Sequence, residues 1–200
     1  MRCFIGLTVW LFSFAVQATT IAQLEFADVI DSAELVFEGR VLDVHAEQTG
    51  PRSIHTTVRF EIIEVIKGQY TGSELELRYL GGRVGAREMY VDGMQLPQPG
   101  EHGIYFVESV HDALVHPMVG WSQGHFLILP TGASEGVYTA DGSGVNDVHT
   151  TTRSEHNAPA ILGHDGSARG VVVQQLQAPV ISADRFKTIV RDYMATGLLP

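Results

Sequence analysis

The chain has 200 residues, with 13 basic against 23 acidic side chains and a formal net charge of −10 when histidine is neutral. That balance repels nucleic acid and anionic membrane surfaces, while the length allows one domain with a sizeable core. The only cysteine is Cys3, so the rest of the chain has no disulfide, no thiolate nucleophile and no cysteine metal ligand.

Met1-Arg2 is a short basic start, Cys3 to Val16 is apolar, and Val16-Gln17-Ala18 sets small residues at a cleavage position. This layout predicts a signal peptide over residues 1–18, a mature start at Thr19, and an exported protein, either periplasmic or secreted. The apolar run is shorter than the roughly 20 residues a bilayer span needs, and no later stretch is long enough, so no membrane span is expected in the mature chain. A lipid-modified cysteine would end the apolar region, whereas Cys3 begins it.

Phe26, Val29, Ile30 and Ala33 recur at helical spacing and predict a short amphipathic helix. Leu35, Phe37, Gly39 and Val41 then share one face of a strand. The parity slips at Leu42 and Val44, as a bend or bulge requires. A long strand runs from Ile54 to Lys67 and changes face at Ile62-Ile63. Leu75, Leu77 and Tyr79 alternate with Glu74, Glu76 and Arg78 in a half-buried strand.

Gly81-Gly82 opens a polar loop that closes at Leu96-Pro97-Gln98-Pro99-Gly100. Ile104 to Val107 and Phe126 to Leu129 read as strands buried on both faces, with another short strand near Val137-Tyr138-Thr139. Residues 142–170 lack periodicity and read as a flexible loop. The final segment, 171–200, carries a helix with Ser182 as N-cap, Asp184 in the first turn, and a stripe of Phe186, Ile189, Val190, Tyr193 and Met194. Gly197 is its stop. Long strands that change face suit a small cylinder. The fold class expected is therefore mainly β: an OB-like antiparallel β-barrel over 19–141, with a short N-terminal helix and a docked C-terminal amphipathic helix.

Several strings carry a resemblance: Ser32-Ala33-Glu34-Leu35-Val36-Phe37-Glu38-Gly39-Arg40-Val41, and Thr57-Val58-Arg59-Phe60-Glu61-Ile62-Ile63-Glu64-Val65-Ile66-Lys67-Gly68. Leu80-Gly81-Gly82, the Pro99-Gly100-Glu101 turn, and Gly120 to Gly124 leading into Phe126 add to it. Together they resemble uncharacterised exported bacterial proteins whose barrel is similar to the OB-fold of the netrin and tissue-metalloprotease-inhibitor modules. The resemblance covers about Ser32 to Leu129 and rests on strand pattern and turn glycines. It implies a secreted binding module whose partner is another exported protein such as a protease. Inhibitors of that type bring an N-terminal cysteine to the protease zinc. No cysteine follows Thr19 here, so that mechanism does not carry over.

Gly120-Trp121-Ser122-Gln123-Gly124 matches the G-x-S-x-G elbow, which would make Ser122 a nucleophile. Asp141 or Asp147, and then His149, His156 or His164, would complete the order. The elbow needs a strand before and a helix after, yet a strand-like run follows and β-α alternation is missing, so a tight turn with Trp121 as a packing residue is the preferred reading. Among the nine histidines, His149, His156 and His164 are the candidate metal ligands, and none shows H-E-x-x-H spacing. His111 and His116 fall in a loop-like stretch, and His125 reads as a strand-end residue. Asp141 to Asp147 hints at calcium ligands but has Thr152 where a loop glutamate belongs.

Tyr90, Met94, Leu96 and Pro97 place apolar residues in a polar loop. Such residues either form a partner-binding patch or fold back to plug the barrel mouth. Tyr90, Met94, Leu96 and Trp121 are therefore the candidate binding-loop residues. The function expected is a non-enzymatic extracytoplasmic protein-binding module without a cofactor. A secreted hydrolase using Ser122 or a histidine-bound metal is the first alternative, and a structural envelope component is the second.

Overall fold

The longest strands are β1 (Leu35–Gln48) and β2 (Ile54–Lys67), each of 14 residues, paired antiparallel. The structure is a computed structural model that describes residues 22–132, 134–149, 166–173 and 178–200. The expected signal peptide, His156 and His164 lie outside the described residues. β1 and β2 sit in a six-stranded sheet with β3 (Glu74–Leu80), β6 (His102–Val107), β7 (His125–Thr131) and β8 (Ser134–Thr139) in the order β3-β2-β1-β6-β7-β8. Every ladder of this sheet is antiparallel. The run β6-β1-β2-β3 is a Greek key: three hairpin-linked strands, then a fourth that returns beside the first.

The parity slips read from the sequence are register shifts in the β1–β2 ladder. Val41 pairs with Phe60 and Asp43 with Arg59, which leaves Leu42 over; Glu38 pairs with Glu64 and Gly39 with Ile62, which leaves Ile63 over. These two residues face solvent, Leu42 at 41% and Ile63 at 48% exposure, whereas a third shift, between Val36 and Phe37, leaves over Ile66, which is buried. Bulges of this kind bend a strand and raise its twist. Gly39 lies at such a bend, where a Cβ would sit 2.6 Å from the Glu61 carbonyl oxygen. No closed barrel is found among the described residues: the terminal strands β3 and β8 share no ladder.

Each face of the sheet carries its own core. One is covered by α1 (Phe26–Ser32) and α2 (Ala183–Thr196), with the small sheet of β9 (Val145–Val148) and β10 (Val171–Val173). Phe26, Phe106, Phe126 and Phe186 meet there with ring centroids 4.8 to 6.4 Å apart. The predicted helix signals hold. Ser182 Oγ accepts from the Arg185 amide at 3.2 Å, and Gly197 ends α2 at φ 72° with its amide on the Tyr193 carbonyl.

A charge cluster clamps α2 onto the sheet. Lys187 Nζ donates to Glu38 Oε2 at 2.6 Å and to Glu64 Oε2 at 3.0 Å, while His102 Nε2 lies 2.9 Å from Glu38 Oε1. Burial lowers the Lys187 pKa, but the surrounding Glu38, Glu64 and Asp184 carboxylates outweigh it and hold the ammonium well above its usual range.

The opposite face packs Phe37, Phe60 and Tyr105 with centroids 4.8 to 5.5 Å apart, together with Leu75, Leu77, Tyr79 and Met118. Two segments differ from the sequence reading. The expected loop after Gly81 holds a hairpin of β4 (Gly82–Val84) and β5 (Arg87–Met89). The expected flexible loop from 142 begins with β9, because Val145 and Val148 bury completely against the helix-covered core.

Candidate functional site

The segment linking β5 to β6, together with the β4–β5 hairpin, carries three of the expected binding residues, Tyr90, Met94 and Leu96. Gly81 and Gly82 turn the chain out of β3 at φ 101° and 127°. Thr56 Oγ1 donates to the Gly81 carbonyl at 2.7 Å, and the Gly81 amide donates to the Ile54 carbonyl at 2.8 Å, so the hairpin base is tied to β2. Between the hairpin and residues 90–98 lies a cleft of about 470 Å³, with Met89, Tyr90, Val91, Met94 and Leu96 as its apolar wall. Tyr90 is 75% exposed. A second hollow of about 460 Å³ lies on the other flank of the hairpin, shares Glu88 and Met89 with the first, and reaches Arg52 and Arg87.

The apolar residues of this loop differ in burial. Met94 and Leu96 are half-buried and pack against the loop-covered core, and Pro97 is buried. Tyr90 stays outside. The far end of the loop is locked. The Gly100 amide donates to the Val41 carbonyl at 2.9 Å, and the Val41 amide donates to the Glu101 carbonyl at 2.8 Å.

Beneath the loop sits a buried polar group that sequence reasoning missed. Glu101 Oε1 lies 2.6 Å from His125 Nε2 and accepts from Tyr105 Oη at 3.0 Å, and Glu101 Oε2 accepts from the Gln98 amide at 3.1 Å. Tyr79 meets the His116 ring edge-on at 5.0 Å, and His116 stacks on Trp121 at 5.5 Å. The Met118 amide donates to His116 Nδ1 at 3.1 Å. Burial, with His125 close by, lowers the His116 pKa to about 4. Burial and the Glu101 carboxylate push both tyrosine hydroxyls well above their usual range. These groups are enclosed: Tyr79 and Tyr105 are fully buried, and His116 and His125 are at most 4% exposed. Their visible work is to hold the loop. The sequence did hint at them, since His125 opens an apolar strand and His116 precedes Pro117-Met118-Val119. Periodicity assigns no partner to a histidine, however.

Trp121 joins this buried group rather than the cleft wall. It is half-buried, and its φ of 62° is the sole positive value at a non-glycine among the described residues, a conformation that costs about 1–2 kcal/mol. Ser122 follows in the short helical turn Trp121–Gly124, which leads into β7 rather than into a helix. Its Oγ donates to the Gly166 carbonyl at 3.1 Å, and among the described residues no hydrogen bond joins it to an imidazole.

Asp141 serves a turn, accepting from Thr139 Oγ1 at 2.5 Å and from the Ser143 amide at 3.1 Å. Asp147 Oδ1 accepts from the Val148 amide at 2.9 Å. His149 is exposed beside β9. Among the described residues no group of three or more His, Cys, Asp or Glu side chains is placed to hold a metal ion. Nor is any helix among them long and apolar enough to cross a membrane. Comparison with known proteins found no family model, no curated protein and no solved structure that matches this chain.

Proposed function

We propose that the chain is a non-enzymatic, extracytoplasmic protein-binding module of OB-like type, and that the cleft beside Tyr90 is its recognition surface. The observation that carries this reading is the pairing of an anchored loop with an exposed aromatic. Met94, Leu96 and Pro97 fix the loop, and Tyr90 projects beside a concave apolar wall. Rigid aromatic side chains give large contact area for little conformational entropy and are common anchors of protein interfaces.

Support for the OB-like barrel comes from the Greek-key order and from the bulges that bend β1 and β2, since the OB-fold is a partly open five-stranded Greek-key barrel. Export rests on the leader pattern over residues 1–18. N-terminal sequencing of protein recovered from the periplasm or medium is expected to begin at Thr19.

The binding reading is tested by placing a photoreactive amino acid at Tyr90 and, separately, at Leu198, which is 71% exposed beyond α2. A discrete cross-linked partner from the extracytoplasmic fraction at Tyr90, and none at Leu198, is expected. Cross-linking at Leu198 alone, or the same products at both sites, would remove the cleft from consideration.

A further inference from the structure

We infer that the partner segment recognised at this cleft is an acidic stretch of polypeptide, with a large apolar side chain seated against Met89, Met94 and Leu96 and carboxylates drawn to Arg52, Arg83 and Arg87. This rests on the protein-binding reading above and adds the chemistry of the partner. The chain carries a net charge of −10, yet the two hollows flanking the β4–β5 hairpin are lined by three arginines against one glutamate, Glu88. All three arginines are exposed.

Of the other described basic groups, Arg59 pairs with Glu74, Arg169 with Glu25, and Lys187 and Arg191 with Glu64, while Lys67 donates to the carbonyls of Ile30 and Asp31 and Arg40 to that of Gly100. Arg78 on β3 and Arg185 on α2 are exposed and in no ion pair among the described residues, but neither lines these hollows. At the hollows, Arg87 donates to the neutral Gln48 amide oxygen at 2.9 Å, and Arg52 and Arg83 take part in no ion pair among the described residues, so three such arginines cluster in one place. Guanidinium groups left in this state are suited to carboxylates, which they bind through two parallel hydrogen bonds.

The size of the basic region selects a short segment over an extended polyanion. Screening limits electrostatic reach to about 8 Å at physiological salt. A short acidic segment feels the arginines locally, whereas a nucleic acid or an anionic membrane also meets the acidic surface around them. The apolar wall adds a second requirement that a free anion does not meet.

The test is selection from a display library of short random peptides on three forms of the protein: wild type, Arg52→Ala/Arg83→Ala/Arg87→Ala, and Tyr90→Ala. A selected peptide is then titrated by fluorescence anisotropy, with Arg185→Ala on α2 as an exposed-arginine control. Inorganic phosphate and anionic phospholipid vesicles serve as further probes. Wild type is expected to enrich peptides that combine acidic and large apolar residues. The triple variant should bind the selected peptide at least about tenfold more weakly, with a shallower salt dependence, and Arg185→Ala should bind as wild type does.

Enrichment of neutral or basic peptides that still depend on Tyr90 would overturn the acidic partner and leave the protein-binding cleft standing. No enrichment on any form would overturn both. Arginine-dependent binding of phosphate or vesicles, without peptide binding, would replace a polypeptide partner with an anion.

Discussion

Glu101 and His125 meet inside the loop-covered core with Oε1 2.6 Å from Nε2, and this pair joins the end of the segment linking β5 to β6 to the start of β7. The same carboxylate also takes the Tyr105 hydroxyl and the Gln98 amide. Glu101→Ala leaves His125 and Tyr105 buried without their acceptor. Unfolding in urea is expected to show a loss of about 2–3 kcal/mol, and amide exchange should quicken across residues 90–100 before it does in β1. Unchanged exchange in that segment would mean that the loop is held elsewhere.

Acid should weaken the fold through His116. Burial holds its folded pKa at about 4, below the ordinary histidine value of 6.5, so between those limits the unfolded chain binds the proton and the folded chain does not. Its contribution is complete above pH 6.5 and is lost as pH falls toward 4. Each pH step of one between those limits removes about 1.4 kcal/mol, for a total loss of about 3 kcal/mol. His116→Phe cannot take up the proton, so the difference between its urea stability and that of wild type should narrow as pH drops through this window. A difference that stays constant from pH 7 to pH 4 would show that His116 is protonated equally in the folded and unfolded chains.

Removing the cation of the α2 clamp should strand a buried carboxylate. Lys187 is 9% exposed and Glu38 is 8% exposed. Lys187→Met is expected to cost about 3 kcal/mol, and Glu38→Gln with Lys187→Met should cost clearly less than the two single changes summed, as read by a double-mutant cycle. Additive costs would show that the two side chains do not act as a pair.

Gly39→Ala probes the bend of the sheet. The added Cβ would lie 2.6 Å from a backbone carbonyl oxygen and 2.7 Å from Phe37 Cε2, so backbone must move. A loss of about 1–3 kcal/mol in thermal or urea unfolding is expected. A neutral substitution would indicate that β1 and β2 separate easily at this point.

Much of the framework was legible because it is written in period and parity. The slips at Leu42 and Ile63 fall on two of the three residues that the β1–β2 ladder leaves unpaired, and Ser182 and Gly197 cap α2 as their chemistry requires. Pieces whose order comes from distant contacts were not legible. The hairpin of Gly82–Val84 and Arg87–Met89 has strands of three residues each, too short for alternation to register, and its base is set by Thr56 and Ile54. Val145 and Val148 sit in a polar stretch and become a strand by pairing with Val173 and Val171.

The candidate site divided along the same line. Tyr90, Met94 and Leu96 stood out as apolar residues in a polar loop, and they line one cleft. The Glu101, His116 and His125 group did not stand out, because its members are far apart in sequence and meet only through the sheet.

The proposed binding role of the cleft is tested most directly by Tyr90→Ala. Tyr90 is 75% exposed, so its truncation should leave urea stability within about 0.5 kcal/mol of wild type. Affinity for the partner cross-linked at this position is expected to fall at least about tenfold, as loss of an aromatic anchor does. Unchanged affinity in a variant of unchanged stability would contradict the assignment of this cleft as the recognition surface.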